Sequence, residues 1–236
     1  MSLAINNLIL EITRKCNMRC PHCLRGPVQS LDMSNAVIDR VTTAADHVFC
    51  LSVTGGEPSL NGKAINHLRW SAHFNKCLFD YFWLTVNARY FKQDFYEALL
   101  ELYSVCGDRE CCCLTVSGDQ YHGKRSNRAM EMYAELPFYS NTYMRLIDDE
   151  RLLDDGMARI NGIGRREKEN IQTEITDYDL VGDSLYIGDM VYINAKGDVL
   201  LDCDLSYASQ RKHTIGNVLT EPLEQILRRR LKPQAA

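Results

Sequence analysis

The sequence predicts an α/β fold in which helices wrap a parallel sheet that is open or closes into a full or partial barrel. Three observations support this prediction. Short apolar runs alternate with amphipathic stretches of helical period. The alternation repeats five times before about residue 150. Four of the apolar runs are followed by unusual polar, glycine-rich or cysteine-rich sequences, and parallel sheets gather their active sites at the carboxyl ends of their strands.

The apolar runs are the predicted strands, and the stretches between them are the predicted helices. The strands are NLILEIT (7–13), HVFCLSVTG (47–55), DYFWLTVNA (80–88), CCCLTVSG (111–118) and NTYMRLI (141–147). Ser34 is a good N-cap residue and opens the first helix. The predicted helices cover residues 34–46, 62–74, 93–105 and 125–136.

The alternation ends near residue 150, which divides the chain into a core (1–150) and a C-terminal extension (151–236) packed on the core. Segment 150–180 is charged and poorly periodic, so we predict helix and loop there. Two β runs around residues 196–198 predict a hairpin. A last helix is predicted from about residue 221 to 231, with a proline in its first turn.

Length and composition indicate a globular chain with one large domain, or one domain with a small appendage. The hydrophobic fraction of 45% is ordinary, and no apolar run approaches the roughly 20 residues of a membrane-spanning helix. The N-terminus does not resemble a signal peptide, so we expect a cytoplasmic protein that does not act on a membrane. A net charge of -4 gives no support for a nucleic-acid partner, although ILRRRLK (226–232) is locally basic.

Ten cysteines in a cytosolic chain favour metal ligation or catalysis over disulfides. Cys16, Cys20 and Cys23 lie in CNMRCPHC, directly after the first predicted strand. Zinc requires four ligands, and the side chains of adjacent residues such as His22 and Cys23 can rarely both reach one tetrahedral ion. Three thiolates also suit a 4Fe-4S cluster with one iron free of protein ligands. The spacing alone leaves cluster, zinc and no metal open.

A second unusual sequence, GGEP (55–58), follows the second predicted strand. Two glycines allow close approach to the backbone, Glu57 can hold an ammonium group, and Pro58 fixes a turn. A plain turn between strand and helix is the alternative interpretation.

The CxxxCxxC cysteines after the first strand, combined with GGEP after the second, resemble the radical S-adenosylmethionine (radical SAM) superfamily. The match runs in order over about residues 7 to 147 and implies a partial (β/α)6-type parallel barrel with a short hairpin-plus-helix extension. It implies that the three cysteines hold one 4Fe-4S cluster and that SAM binds the fourth iron. His22 takes the place of an aromatic residue beside the cofactor. The residues implied to contact the amino group of SAM are Gly55, Gly56, Glu57 and Pro58.

The third and fourth strand ends extend the resemblance. LTVNAR (84–89) is similar to a SAM-contacting segment and makes Asn87 a candidate contact. TVSGDQYH (115–122) resembles the segment that binds the SAM ribose, which implies roles for Ser117 and Asp119, although a turn and helix cap would also favour these residues. His122 would then face the substrate as a candidate catalytic residue, or lie in a surface loop.

The C-terminal stretch resembles the SPASM and twitch tails of radical SAM enzymes that modify peptides and proteins. Those tails bind auxiliary clusters through several cysteines, whereas this tail has only Cys203, so we expect a single cluster. Cys203 is either a buried remnant or a hydrogen-atom or proton donor beside the substrate. We interpret Cys50, Cys77, Cys106, Cys111, Cys112, Cys113 and the aromatic run YFW (81–83) as packing residues.

The resemblance implies reductive cleavage of SAM to a 5′-deoxyadenosyl radical that removes a hydrogen atom from substrate. The tail favours a peptide or protein substrate, modified by epimerisation, crosslinking or oxidation. The first strand begins close to residue 1, so we expect no separate leader-binding domain ahead of it. Activation of a glycyl-radical enzyme and a small-molecule or nucleotide substrate are the alternatives. A one-electron donor such as flavodoxin or ferredoxin is the implied partner, and a non-catalytic zinc or iron-sulfur protein is the rival class.

Overall fold

The computed structural model describes residues 2–20, 23–117, 122, 124–140 and 171–233. Strands and helices alternate in its first part as predicted, with two short 3-10 helices at Pro58–Leu60 and Arg109–Cys111. The regular elements are β1 (Ser2–Thr13), α1 (Asn35–Ala44), β2 (His47–Gly55), α2 (Gly62–Asn75), β3 (Leu78–Val86), α3 (Gln93–Val105), β4 (Cys113–Val116) and α4 (Asn127–Ala134).

The C-terminal part consists of short strands and two short helices. Among all the described residues, no helix has the length and apolar character needed to cross a bilayer. The elements are β5 (Tyr178–Val181), β6 (Ser184–Ile193), β7 (Asp198–Leu200), α5 (Tyr207–His213), β8 (Gly216–Asn217) and α6 (Leu223–Arg228).

All eight of these strands belong to one sheet, in the order β4-β3-β2-β1-β6-β7-β8, with β5 also paired to β6. Strands β1 to β4 and β6 are parallel, whereas β5, β7 and β8 pair antiparallel. The sheet formed by the described strands is open. The predicted partial parallel barrel is therefore confirmed.

Strand β6 contains the first β run of the predicted hairpin, but it begins earlier and has a second partner that the sequence did not reveal. The predicted hairpin exists, because Tyr192 of β6 pairs with Leu200 of β7. However, β6 also runs parallel to β1, with Tyr192 beside Ile9, so the C-terminal part extends the sheet of the core. Periodicity identifies a strand but does not reveal a distant partner. The boundary at residue 150 and the predicted strand 141–147 lie outside the described residues.

Helices cover one face of the sheet. Leu10, Val53, Leu84 and Leu114 are neighbours across β1 to β4, and all four are buried in the main hydrophobic core. Successive residues of a strand point to opposite faces of the sheet, so the residue immediately before each of these four core residues faces away from the helices. We call this second face the inner face; its central row consists of Ile9, Ser52, Trp83 and Cys113, with Tyr192 beside Ile9.

A buried ion pair ties β1 to the C-terminal part. Arg14 Nε donates to Glu11 Oε1 at 2.5 Å, and both side chains are at most 2% exposed. The Tyr192 hydroxyl donates to Glu11 Oε2 at 2.5 Å. Gln210 of α5 donates to the same oxygen at 3.0 Å and accepts from Arg14 Nη2. Buried charges are tolerated when paired and fully hydrogen-bonded, so β6 and α5 must dock correctly for this pair to be stable.

We expect Glu11→Ala to lower the free energy of unfolding by about 3–5 kcal/mol, because it leaves the Arg14 guanidinium buried without its carboxylate. Urea denaturation of the purified chain measures the loss. Glu101→Ala is the control, because its 2.9 Å pair with Arg69 involves a carboxylate that is 53% exposed, and its removal should cost no more than about 1 kcal/mol. Equal losses in the two variants would contradict this account of the buried pair.

Candidate cofactor site

The cysteine-bearing segment is a loop closed at its base. Arg14 N donates to Leu31 O at 2.8 Å, Gln29 N donates to Arg14 O at 3.2 Å, and Met33 N donates to Ile12 O at 2.9 Å. The chain therefore leaves β1 and returns alongside it before α1. We call residues 15–28, between these contacts, the cysteine loop.

All three cysteines of the cysteine loop are half-buried. Cys23 N donates to Cys20 O at 3.1 Å, and Gly26, at a φ of +89° that favours glycine, turns the chain after Cys23. Burial raises the pKa of the Cys16 thiol; the Met18 N–H that it accepts at 3.4 Å opposes this shift, and the Glu57 carboxylate adds to it. The loop thus presents thiols beside a negative group, and a cationic partner would favour their thiolate forms.

The three thiols of the cysteine loop supply one ligand fewer than the four that a structural zinc requires. A 4Fe-4S cluster holds each thiolate on a different iron and can leave one iron free of protein ligands. Elsewhere in the described part of the chain, Asp202, Cys203 and Asp204 bring three possible ligand atoms within 4.8 Å of one another.

The GGEP segment docks directly on the exit of β1. Gly56 N donates to Thr13 O at 2.8 Å, and Glu57 N donates to Lys15 O at 2.9 Å. A Cβ on Gly55 would lie 2.4 Å from Thr13 O, and a Cβ on Gly56 would lie 2.3 Å from Lys15 O. Both positions therefore require glycine because two backbones meet there. This contact places GGEP one residue from Cys16.

The Glu57 carboxylate joins the ends of β2 and β3. It is 2% exposed, and it accepts Ser59 N at 3.1 Å and Asn87 N at 2.8 Å. Burial raises the pKa of Glu57, and these two donors oppose the rise. Both carboxylate oxygens accept backbone donors and the Ser59 side chain is a third donor, so one of the roughly four acceptor positions of the carboxylate remains for a cation. Pro58 is buried directly beside the carboxylate.

Asn87 joins the end of β3 to the cysteine loop. Its Nδ2 donates to Asn17 Oδ1 at 2.8 Å, and its Oδ1 accepts Arg89 N at 2.9 Å. The side chain is buried. The residue that the sequence suggested as a SAM contact therefore also braces the residue after Cys16.

The fourth strand end is described only in part. Ser117 N donates to Val86 O at 2.8 Å, which places Ser117 beside the end of β3. His122 is half-buried, and its Nδ1 atom is buried. Asp119 and His22 lie outside the described residues. The structure thus brings the cysteine loop, GGEP, Asn87 and Ser117 to the carboxyl end of the sheet.

Uncharged side chains dominate the inner face below this site. Trp83, in its central row, is 42% exposed, which corrects the interpretation of this residue of YFW as packing; Phe82 is buried, and the half-buried Tyr81 packs against the core. A second row consists of Asn7, Cys50 and Tyr81. Thr85 and Thr115 share a hydrogen bond of 2.7 Å nearer the carboxyl end. The exposure of Trp83 had a signal in the sequence. Side chains alternate between the two faces of a strand, so Trp83, between the apolar Phe82 and Leu84, must face away from them.

Cys203 lies against the inner face and next to the cysteine loop. It packs with Ile9, Tyr192, Leu200 and Leu205. The Arg25 guanidinium of the cysteine loop donates to the carbonyls of Cys203 and Leu205, the latter at 2.9 Å. Burial raises the pKa of the Cys203 thiol to about 11, with the Asp204 carboxylate adding to the shift and Arg25 opposing it. At neutral pH this residue therefore keeps its S–H hydrogen.

The remaining cysteines divide by position. Cys50, Cys77, Cys106 and Cys112 are buried, as the packing interpretation predicts, whereas Cys111 is exposed and Cys113 half-buried. Cys113 lies beside Trp83 on the inner face. The consecutive cysteines therefore do not converge on one site.

No family model and no curated protein matches this chain. Solved structures do match, and three are of a radical SAM enzyme named anSMEcpe. The hexahistidine-tagged form with bound AdoMet has a TM-score of 0.56 at 13% identity, covering 94% of this chain and 80% of that chain.

Two further structures, both of native anSMEcpe, are also similar to this chain. With bound AdoMet and the Cp18Cys peptide, the TM-score is 0.53 at 14% identity, covering 96% of this chain and 80% of that chain. With AdoMet and the Kp18Cys peptide, the TM-score is 0.53 at 14% identity, covering 94% and 80%. This chain therefore has the fold of the radical SAM enzymes.

Gly56→Ala should lower the free energy of unfolding by roughly 1–3 kcal/mol, because its methyl group would overlap the Lys15 carbonyl and push GGEP away from the cysteine loop. Gly107→Ala is the matched control, since its Cβ would meet nothing closer than 3.6 Å and should change stability by no more than about 0.5 kcal/mol. Chemical denaturation measures both variants. Indistinguishable stabilities would show that the backbone contact is not a constraint.

Proposed function

We propose that this chain is a radical SAM enzyme. The observation that carries the proposal is the loop with Cys16, Cys20 and Cys23, closed at the carboxyl end of β1 in a sheet with the fold of that enzyme class. The three thiols are the residues that would hold one 4Fe-4S cluster, and the fourth iron is left for SAM. When bound, the cluster and SAM supply one-electron cleavage of SAM and a 5′-deoxyadenosyl radical that removes a hydrogen atom from substrate.

The chain's own contribution is to position SAM and to exclude water. Gly55, Gly56, Glu57 and Pro58 offer backbone groups and a buried carboxylate to the SAM ammonium group, directly beside Cys16. We assign the other contacts to the neighbouring strand ends, in line with the general location of ligands in parallel sheets. These contacts are Asn87, the ribose-binding candidates Ser117 and Asp119, and His22 as a wall residue.

Removal of one cluster ligand tests the assignment. Anaerobically reconstituted wild-type protein should hold about four irons per chain and, after reduction with SAM present, release 5′-deoxyadenosine and methionine. Cys20→Ala should lose most of the iron and all 5′-deoxyadenosine formation, whereas Cys111→Ala, which removes an exposed thiol, should retain both. Iron analysis and chromatography measure these quantities. One zinc per chain and no 5′-deoxyadenosine would contradict the proposal in favour of a non-catalytic metalloprotein.

We propose a peptide or protein segment as the substrate. The inner-face rows through Asn7, Ile9 and Glu11 carry no lysine or arginine, and Glu11 is neutralised by Arg14. Arg25, which lies 5.1 Å from the centre of the Tyr192 ring, already donates to the carbonyls of Cys203 and Leu205. A nucleotide would need cationic partners for its phosphates, whereas amide, hydroxyl and aromatic groups suit a peptide backbone with an apolar side chain. The bound peptides of anSMEcpe agree with this choice. Activation of a glycyl-radical enzyme is the remaining candidate, since its target is also polypeptide backbone.

Two residues are proposed to act on the substrate. Burial raises the pKa of the Cys203 thiol to about 11, and Cys203 packs against the hydrophobic cluster that contains Ile9 and Tyr192, so it is suited to donate a hydrogen atom to a substrate radical. One electron from the external donor and one proton from water would return the resulting Cys203 thiyl radical to the thiol. The alternative is that it only fills space. His122 is our second candidate, as a polar group on the substrate side of the fourth strand end.

Peptides encoded next to the gene, incubated with the reduced enzyme and SAM in D2O, should show a change of mass by mass spectrometry. Trp83→Ala should raise the KM for such a peptide about tenfold or more, because it removes the largest apolar contact of the inner face, with kcat less affected. Trp70→Ala is the control, because Trp70 is an exposed residue on helix α2. An unchanged KM in Trp83→Ala would contradict the assignment of the inner face.

The same assay separates the two interpretations of Cys203. The S–H hydrogen exchanges with D2O, so a donated atom would leave one deuterium on carbon in the product, and Cys203→Ala should abolish that label while leaving 5′-deoxyadenosine formation intact. Retention of the label in Cys203→Ala would assign the residue to packing.

The proposed enzyme requires an external one-electron donor, such as a flavodoxin or ferredoxin, and we propose that it works in the cytoplasm. Its reduced thiols and single cluster suit that compartment.

A further inference from the structure

A basic surface adjoins the candidate cofactor site. Segments 87–92 and 124–128 together carry five lysines or arginines and no aspartate or glutamate, in a chain with a net charge of -4. We call these five residues the basic patch. Its members are Arg89, Lys92, Lys124, Arg125 and Arg128.

The two segments lie side by side. Ser126 N donates to Ala88 O at 2.9 Å, and Arg89 Nη1 donates to Lys124 O at 3.3 Å. The Arg128 guanidinium lies 5.3 Å from the centre of the Phe91 ring. The five charges therefore share one surface although more than thirty residues of chain separate the two segments.

Most of the basic patch lies at the surface of the described part of the chain. Lys92, Lys124 and Arg128 are exposed, and Arg89 and Arg125 are half-buried. No aspartate or glutamate in the described ranges forms an ion pair with any of the five. Asp94, Asp119 and Glu131 are the acidic residues nearest to the two segments along the chain, and the five basic residues outnumber them.

The basic patch is one side-chain contact away from the cysteine loop. Arg89 N donates to Asn87 Oδ1, and Asn87 Nδ2 donates to Asn17, the residue after Cys16. The Arg89 end of the basic patch therefore adjoins the cysteine loop. Tyr90, 57% exposed between Arg89 and Phe91, adds an amphipathic side chain of the kind enriched in protein interfaces.

We propose that the basic patch is the docking surface for an acidic one-electron donor protein of the flavodoxin or ferredoxin class. The proposal rests on the proposed function, because it assigns the patch to delivery of the electron that SAM cleavage consumes. One electron leaves the reduced donor and enters the cluster, which changes from the 2+ to the 1+ state. Opposite charges at such a surface raise the association rate and orient the partner, and salt weakens both effects.

The test reverses the charge of the three exposed members in the triple variant Lys92→Glu, Lys124→Glu, Arg128→Glu. The matched control reverses three exposed charges elsewhere, in Arg40→Glu, Lys63→Glu, Lys76→Glu. Binding of an acidic flavodoxin is measured by titration against both the cluster-free and the reconstituted chain, at low and high salt. Stopped-flow spectroscopy then compares cluster reduction by reduced flavodoxin with reduction by dithionite, which requires no docking.

The triple variant should bind flavodoxin at least tenfold more weakly than wild type, with a smaller salt dependence, and be reduced by flavodoxin at least tenfold more slowly. Dithionite-driven 5′-deoxyadenosine formation should stay within twofold of wild type, and the control variant should match wild type in every measurement. Equal flavodoxin binding by the triple variant and wild type would overturn the proposal.

Two other outcomes would also overturn the proposed docking of a donor protein and would assign the basic patch another role. Loss of dithionite-driven SAM cleavage in the triple variant would assign the patch to the SAM site. Displacement of flavodoxin by a short oligonucleotide that binds more tightly would assign it to nucleic acid. If wild-type protein makes no 5′-deoxyadenosine with dithionite, the proposed function fails, whereas the titration against the cluster-free chain still decides the docking surface.

Discussion

The docking of the GGEP backbone on the exit of β1 is the constraint on which the candidate site depends. Gly56 and Glu57 donate to the carbonyls of Thr13 and Lys15, and the two backbones approach so closely that neither Gly55 nor Gly56 has room for a Cβ. The contact fixes the end of β2 beside the start of the cysteine loop. Glu57 then links the end of β2 to β3 through Asn87, and Asn87 returns to the loop through Asn17. Three strand ends are thereby held in one arrangement by buried polar contacts, which cost free energy unless all partners are in place.

A second set of contacts holds the loop from the other side. Arg14, two residues before Cys16, is paired with Glu11 and reaches α5 through Gln210, while Arg25, two residues after Cys23, holds the carbonyl of Cys203. The C-terminal part therefore does more than cover the barrel. It supplies partners for the charges at both ends of the cysteine loop and brings a protonated thiol to the inner face. The loop can be short and irregular because its ends are anchored in buried structure.

Much of this was predictable from sequence because the causes are local. Strand and helix periods identified β1 to β4, and the contiguous Cys16, Cys20, Cys23 and GGEP motifs marked two segments that the structure brings together. The parallel pairing of β6 with β1 was not predictable, because no local pattern specifies a distant partner strand. The Asn17–Asn87 contact was missed because it depends on how separate strands are aligned, whereas the exposure of Trp83 follows from local alternation along β3.

The central claim is that the cysteine loop holds a cluster with one iron left for SAM. Mössbauer spectroscopy of the anaerobically reconstituted protein tests it most directly, with and without SAM and with iron-57 in the cluster. The account predicts about four irons per chain and a subset of the signal, from one iron, that changes when SAM is added. Zinc in place of iron, or an iron signal unaltered by SAM, would contradict it.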